Sequence, residues 1–291
     1  MADENTLGSL LDLLRRLPPT RVEANVEALA NLAPEFADDL YANTDQPLRV
    51  LHDEEAGRSF LGCDYNRDGD SFRSPWTDKY LPPAPGAPQP SPRLRQLEVL
   101  LNAAFDTYRE MYYEGGVSSV YLWDLGEDMG TKDLEFAGVV LMKKDLPADT
   151  GLTGNWDSLH VFECTERGRT AKYKLTSTVM LVLEAPTSAT LTDKAGAKVA
   201  GATADGKVTL SGSMTRQAEV DYPLTGATSH VNNVGRMVED MEIKMRNLLS
   251  AVYFGKTQDV VGELRSQIGL EARSREDQLR AELAGAIGAR R

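Results

Sequence analysis

The sequence predicts an α+β fold, with helices first, one antiparallel five-stranded sheet in the middle and a long helix after it. Three observations predict it. Leucines at helical spacing fill the first 43 residues. Five strand-like segments divided by Gly- and Asp-rich turns occupy 117–222. A seam of aliphatic residues in alternating steps of three and four then runs from Val231 to Val252.

The N-terminal part reads as three short helices. Leu7, Leu10, Leu11, Leu14 and Leu17 form one stripe, which Pro18 and Pro19 end. Thr20 with Glu23 has the spacing of a capping box and opens a second helix with Val22, Val26 and Leu29 inward. Pro34 suits the first turn of a third, with Phe36 and Leu40 on one side. From Asn43 to Pro90 periodicity is lost, and "LPPAPGAPQPSP" reads as a proline-stiffened connection. Ser91 and Pro92 then give an N-cap and an N1 proline, Gly115 and Gly116 close the far end, and Leu94, Leu97, Leu101, Phe105, Tyr108 and Met111 or Tyr112 draw the apolar stripe between.

Strands are expected at 117–125, 135–144, 155–167, 170–185 and 207–222, and their short connections favour a meander. In the fourth, Ala171, Tyr173, Leu175, Val179, Leu181 and Leu183 share a face opposite Lys172, Lys174, Thr176 and Thr178. The segment 186–206 reads as a long hairpin loop. The long helix is expected at 228–254 on Val231, Val234, Val238, Met241, Met245, Leu248 and Val252, followed by a short helix at 257–268 and a charged tail. The organisation is therefore 1–43 helical, 44–116 loop region and connecting helix, 117–222 sheet, 223–268 helices and 269–291 tail.

Composition narrows the function. A formal net charge of -12 repels phosphates, so the chain as a whole is not expected to bind nucleic acid. No apolar run reaches the roughly 20 residues of a membrane span. Cys63 and Cys164 form neither a disulfide framework nor a metal-ligand cluster, which points to a reducing, cytosolic setting.

The stretch "CDYNRDGDSFRSPW" places Asp64, Asn66, Asp68, Gly69 and Asp70 at positions one, three, five, six and seven of a calcium-binding EF-hand loop. Position twelve, which must be a bidentate glutamate, is Pro75, and the flanks do not read as paired helices. An Asp/Asn/Gly turn that caps its own backbone is the better account. A calcium-binding or scaffold protein using Asp64–Asp70 is the alternative function. "FGKT" at 254–257 lacks the earlier glycine of a phosphate-binding loop, Ser250 standing there instead. His52, His160 and His230 lie in unrelated segments and the carboxylates are dispersed, so no catalytic residue, metal site or cofactor is expected, and the chain is not read as an enzyme.

Two features point to partners. Leu279, Leu283 and Ile287 repeat at i, i+4 and i+8 in a charged tail. Such a segment is either a solvated helix or a helix that docks its stripe in a partner's groove. An open five-stranded sheet also exposes unpaired backbone at its edges, which a similar subunit would cover.

"CDYNRD" and "GDSFRSPW" resemble the signature of the F-actin capping protein beta subunit family. The resemblance continues in order through "LLRRLPP", "DQPL", "EGGVSSVYLWDL", "FAGVVLMKK", "YKLTSTVML", "SMTRQ", "GRMVEDME" and "YFGKTQDVV". It implies an obligate heterodimer with a capping protein alpha subunit, each chain supplying a helical stalk, five strands of a shared sheet, a long helix across it and a mobile C-terminal amphipathic tail. It implies binding to actin filament barbed ends, independent of calcium, in the cytoplasm and cytoskeleton. Leu279, Leu283 and Ile287, with Arg280 among them, match the actin-binding tail. Arg246 matches a position implicated in phosphoinositide binding. Arg16 and Tyr80, with Asp45 near, match stalk positions contacted by CARMIL-type regulators. The actin-related filament of dynactin is a further implied partner.

Overall fold

A computed structural model describes residues 2–125, 135–146, 153–186 and 207–251. The chain divides into two compact units, Met1–Glu239 and Asp240–Arg291. No described helix is long and apolar enough to cross a membrane.

The first unit opens with α1 (Ala2–Arg16), α2 (Val22–Leu32) and α3 (Ala37–Ala42). Leu14, Val26, Leu29 and Leu40 are buried together, with Leu7, Leu10, Leu11, Val22 and Phe36 packed around them, as the spacing predicts. The capping box at Thr20 does not form. Pro19 starts a 3-10 turn over Pro19–Arg21, so Thr20 already lies inside that turn, and α2 begins after Arg21 without a side-chain cap.

The segment read as aperiodic contains two small sheets. β1 (Arg49–Asp53) and β2 (Arg58–Gly62) form an antiparallel hairpin. β3 (Arg67–Asp68), β4 (Ser71–Arg73) and β5 (Tyr80–Leu81) form a three-stranded sheet. Strands of two to five residues carry too few alternations to register as a pattern.

α4 (Pro92–Tyr112) starts where expected, the Ser91 Oγ accepting from Leu94 N–H at 3.5 Å. Its buried face is Leu94, Glu98, Leu101, Asn102 and Phe105, whereas Met111 and Tyr112 are exposed. Gly115 leaves the helix at φ +75°, and a Cβ on Gly116 would stand 2.7 Å from Lys143 O, so both positions require glycine.

The main sheet follows as a meander of β6 (Val117–Asp124), β7 (Glu135–Asp145), β8 (Thr153–Arg167), β9 (Thr170–Pro186) and β10 (Lys207–Pro223), all neighbours antiparallel and in chain order. One face carries Tyr121, Val139, Leu141, Leu159 and Met180, buried with Leu48 and Leu61. The other carries Phe136, Phe162, Cys164 and Tyr173. The two-faced reading of β9 holds for its first half only. From Ser177 to Val182 both faces are buried, Thr178 included, because Leu11, Leu14 and Pro19 of the N-terminal helices come down beside Thr178 and Met180.

α5 spans Ser229–Leu249, with the Ser229 Oγ accepting from Thr225 and Gly226 N–H at 2.9 Å each. Within the first unit Val234, Met237 and Val238 are buried and His230 sits on the sheet. Its Nδ1 lies 2.7 Å from Tyr173 Oη and its Nε2 3.1 Å from Glu166 Oε1. Within the second unit Met241, Met245 and Leu249 are buried, while Leu248 is exposed. The expected seam assumed a period near 3.5. A helix at 3.6 residues per turn drifts off it, which moves the last inward position from Leu248 to Leu249. The expected helix at 257–268 and the 186–206 loop lie essentially outside the described residues.

Candidate functional site

The signature stretch is a structural knot. Asn66 is buried with its carboxamide committed to backbone: Oδ1 accepts from Cys63 N–H at 2.9 Å, and Nδ2 donates to Leu61 O at 3.4 Å and Arg73 O at 2.9 Å. Asp64, Asp68 and Asp70 are exposed, and Asp64 and Asp70 flank Arg67 at 3.8 and 3.9 Å. The oxygen at position three of the would-be calcium loop therefore points into the fold, away from those carboxylates. Among the described residues no group of three or more His, Cys, Asp or Glu is arranged to hold a metal.

Arg73, from the same stretch, is buried and doubly bonded to Glu98 of α4, Nη1 to Oε1 at 2.8 Å and Nη2 to Oε2 at 2.7 Å, and also reaches Asp78 at 2.6 Å. Burial lowers the Arg73 pKa, but Glu98 and Asp78 outweigh it and hold the guanidinium charged. Arg95 bonds the same Glu98 carboxylate. Trp76 donates Nε1–H to Ser59 O at 3.1 Å beneath Arg58, whose guanidinium lies 3.7 Å from the ring centroid. Burial pushes the Cys63 and Cys164 thiols up to about 12, so neither is a reactive thiolate near neutral pH.

The two edges of the main sheet differ. α4 lies along β6 and satisfies its outward backbone with side chains. Asn102 Oδ1 accepts from Val120 N–H and its Nδ2 donates to Val120 O, both at 2.9 Å, and Glu98 Oε2 accepts from Leu122 N–H at 2.7 Å. A carboxamide thus does there what a neighbouring strand would do. β10 is paired over 17 residues with β9 on one side, and among the described residues no strand pairs with its other side. Sequence reading missed Glu98 and Asn102. Their signal was two polar residues on the otherwise apolar inward face of α4.

Residues 7–261 match the family described as F-actin capping protein, beta subunit. The chain belongs to that family. It is 50% identical over 276 residues to the F-actin-capping protein subunit beta of Aspergillus oryzae, covering 95% of each chain. Against the Drosophila melanogaster subunit beta it is 48% identical, covering 98% of this chain and 96% of the other. The Neurospora crassa subunit beta is 46% identical with 99% of each covered. Among solved structures, the homodimeric actin capping protein alpha subunit from Plasmodium berghei shares the fold, with a TM-score of 0.50 at 15% identity, covering 91% of this chain and 97% of that one.

The capping protein positions expected from the sequence are spread over the molecule. Asp45 lies in a cavity of about 50 Å³ between the N-terminal helices and the sheet, lined also by Leu14, Arg15, Thr178 and Thr215. Burial raises its pKa against the opposing Thr178 hydrogen bond and the Arg15 charge. Arg16 is exposed at the end of α1, and the arginine that lines the cavity is Arg15. Tyr80 is buried on β5 and donates its hydroxyl to Pro88 O at 2.7 Å. The structure does not bring Arg16, Asp45 and Tyr80 onto one surface of that cavity. Arg246, on α5 in the second unit, is half-exposed, its Nε 3.4 Å from the buried Glu242 carboxylate. Leu279, Arg280, Leu283 and Ile287, like the "FGKT" segment, lie outside the described residues.

Proposed function

We propose that this chain is the beta half of a heterodimer with a capping protein alpha subunit, and that the pair binds actin filament barbed ends and blocks subunit gain and loss by binding rather than catalysis, without calcium. Membership of the family over residues 7–261 carries this reading. The difference between the sheet edges supports it, since a closed β6 leaves β10 as the edge for the partner's strand. Leu279, Leu283 and Ile287, with Arg280, are the proposed actin contact, three apolar side chains worth about 1.5–3 kcal/mol each when buried.

The finer assignments follow the same reading. Arg246 takes phosphoinositides, and Arg16, Asp45 and Tyr80 mark the region for CARMIL-type regulators. The actin-related filament of dynactin is a second filament target. The setting is the cytoplasm and cytoskeleton.

Elongation of pyrene-labelled actin from filament seeds tests the proposal, using the chain co-expressed with an alpha subunit and a version ending at Leu270. Nanomolar inhibition that weakens on truncation is expected. No inhibition by the folded heterodimer rules capping out, and inhibition untouched by truncation moves the actin contact away from the tail.

A further inference from the structure

α4 meets β6 rung by rung. Ser118 Oγ donates to Phe105 O at 3.4 Å, Asn102 serves Val120, and Glu98 serves Leu122. The outermost rung joins Ser91, the N-cap of α4, to Asp124, the last residue of β6. Ser91 N–H donates to Asp124 Oδ2 and Ser91 Oγ–H to Oδ1, both at 2.9 Å. The first three rungs are buried and this one is exposed.

The sequence around the exposed rung is "QPSPRLR". Proline follows Ser91 directly, and Arg93 and Arg95 stand two and four residues on. Residues 82–90 approach it without helix or strand, with prolines at 82, 83, 85, 88 and 90. The Ser91 backbone is extended, at φ -56° and ψ 154°. A serine followed by proline, on an extended approach with arginines beyond, is what proline-directed serine/threonine protein kinases read. None of the family-signature contacts described above involves Ser91.

We propose that Ser91 is a phosphorylation site for a proline-directed protein kinase, and that its phosphorylation releases the end of β6 from α4. In the step, the Ser91 Oγ attacks the γ-phosphorus of ATP and the bond to the β,γ-bridging oxygen breaks. The hydroxyl proton passes to the kinase's base, and ADP leaves.

The consequences follow from atom count and charge. The hydroxyl hydrogen that Asp124 Oδ1 accepts is gone, and a dianionic phosphate stands against the Asp124 carboxylate. The remaining bond, from Ser91 N–H to Oδ2, must hold against that repulsion. The helix side gains, because a phosphate at an N-terminus faces the positive end of the helix dipole. Arg93, whose partner Glu166 is 2.6 Å away on a partly exposed contact, is within the same first turn to answer it. α4 therefore stays formed while the strand end lets go. The selectivity distinguishes a switch from simple damage, and it depends on neither actin nor the capping reading.

The test uses the full chain purified with its alpha subunit, incubated with a purified proline-directed kinase and ATP. Phosphate is located by peptide mass spectrometry, with Ser91→Ala as the control, which keeps the N–H bond to Asp124. The expected result is incorporation at Ser91, loss of that incorporation in the control, and about tenfold faster hydrogen exchange over 122–125, the scale of one lost charge-assisted bond, with 94–112 unchanged. No phosphate on Ser91 of the native protein overturns the site. Phosphorylation that leaves exchange at 122–125 unchanged, or that speeds it equally along α4, overturns the release.

Discussion

Replacing Asn102 by aspartate tests whether α4 closes the β6 edge through its side chain. The two residues have the same shape, so packing is preserved. Aspartate keeps the oxygen that accepts from Val120 N–H but loses the Nδ2 that donates to Val120 O and Glu98 O, each at 2.9 Å. It also buries a second carboxylate near Glu98, which is itself fully buried. The orphaned Val120 carbonyl costs about 1–3 kcal/mol. The unpaired buried charge adds several more in its ionised form. Alanine at the same place leaves both the N–H and the C=O of Val120 bare, about 2–6 kcal/mol. The isosteric aspartate is therefore expected to destabilise at least as much as alanine. At roughly 2–4 °C per kcal/mol, a loss of 3 kcal/mol lowers the thermal midpoint by about 6–12 °C. The two variants separate with pH. Burial raises the introduced carboxyl's pKa, so it takes a proton readily, and the acid form regains one donor for Val120 O. The aspartate variant should therefore recover part of its loss, relative to wild type, between pH 7 and pH 5, and the alanine variant should not. Thermal melts of both against wild type at the two pH values measure this. An aspartate variant within 1 kcal/mol of wild type, equal at both pH values, would refute the edge-closure reasoning.

Glu98→Gln breaks a buried pair and leaves Arg73 with Asp78 as its remaining carboxylate, so the loss by denaturant unfolding should fall below the roughly 3–5 kcal/mol of a fully unpaired buried charge. Arg73→Met in the Glu98→Gln background removes the buried charge while keeping an acceptor for Leu122 N–H, so it should recover part of the loss. A double variant poorer than Glu98→Gln alone would show that the stranded guanidinium is not the cause. His230 is held below the ordinary histidine value of 6.5 by burial, against the opposing Glu166 charge, so the folded state takes a proton less readily than the unfolded. Its contribution is complete above about pH 6.5 and is lost as pH falls from there through the folded-state pKa. The stability difference between wild type and His230→Gln should shrink over that window, and a difference flat from pH 8 to pH 5 contradicts the assignment. Gly138→Ala places a Cβ 2.4 Å from Leu122 Cδ2 and 2.7 Å from Phe162 Cζ, and overpacking of this kind should cost about 1–3 kcal/mol in a thermal melt.

The large elements were legible because their signals are long. Seventeen residues of β9 and twenty-one of α4 sample their periods several times over, and the N-cap at Ser91 and the glycines at 115 and 116 add local chemistry to the pattern. Where the chain is covered on both sides, alternation carries no information, which is why Thr178 looked solvent-facing and is buried. The small sheets at 49–81 were invisible for the opposite reason, being too short to alternate. Asn66 and Arg73 show a third limit. Asn66 reads as an ion ligand or a turn residue, yet its carboxamide is taken up by the backbone of Leu61, Cys63 and Arg73, and Arg73 in turn is satisfied by Glu98 of α4. Only the fold brings those partners together.

The treatment of the two sheet edges bears directly on assembly. A sheet with both edges open can add strands at either side, and two additions per molecule generate a chain of molecules rather than a closed pair. Closing β6 requires donors and acceptors spaced to match its backbone. A carboxamide supplies both at Val120, and a carboxylate supplies the acceptor for Leu122. The Glu98 charge that this places in the interior is matched by Arg73 and Arg95, which is the physical reason for an arginine buried within the signature stretch. The signature residues, the helix that crosses to β6 and the closed edge therefore form one connected set of bonds. Among the described residues β10 is the edge left to pair, and in the proposed heterodimer a partner sheet joined there through a single edge of its own would complete the assembly and stop it.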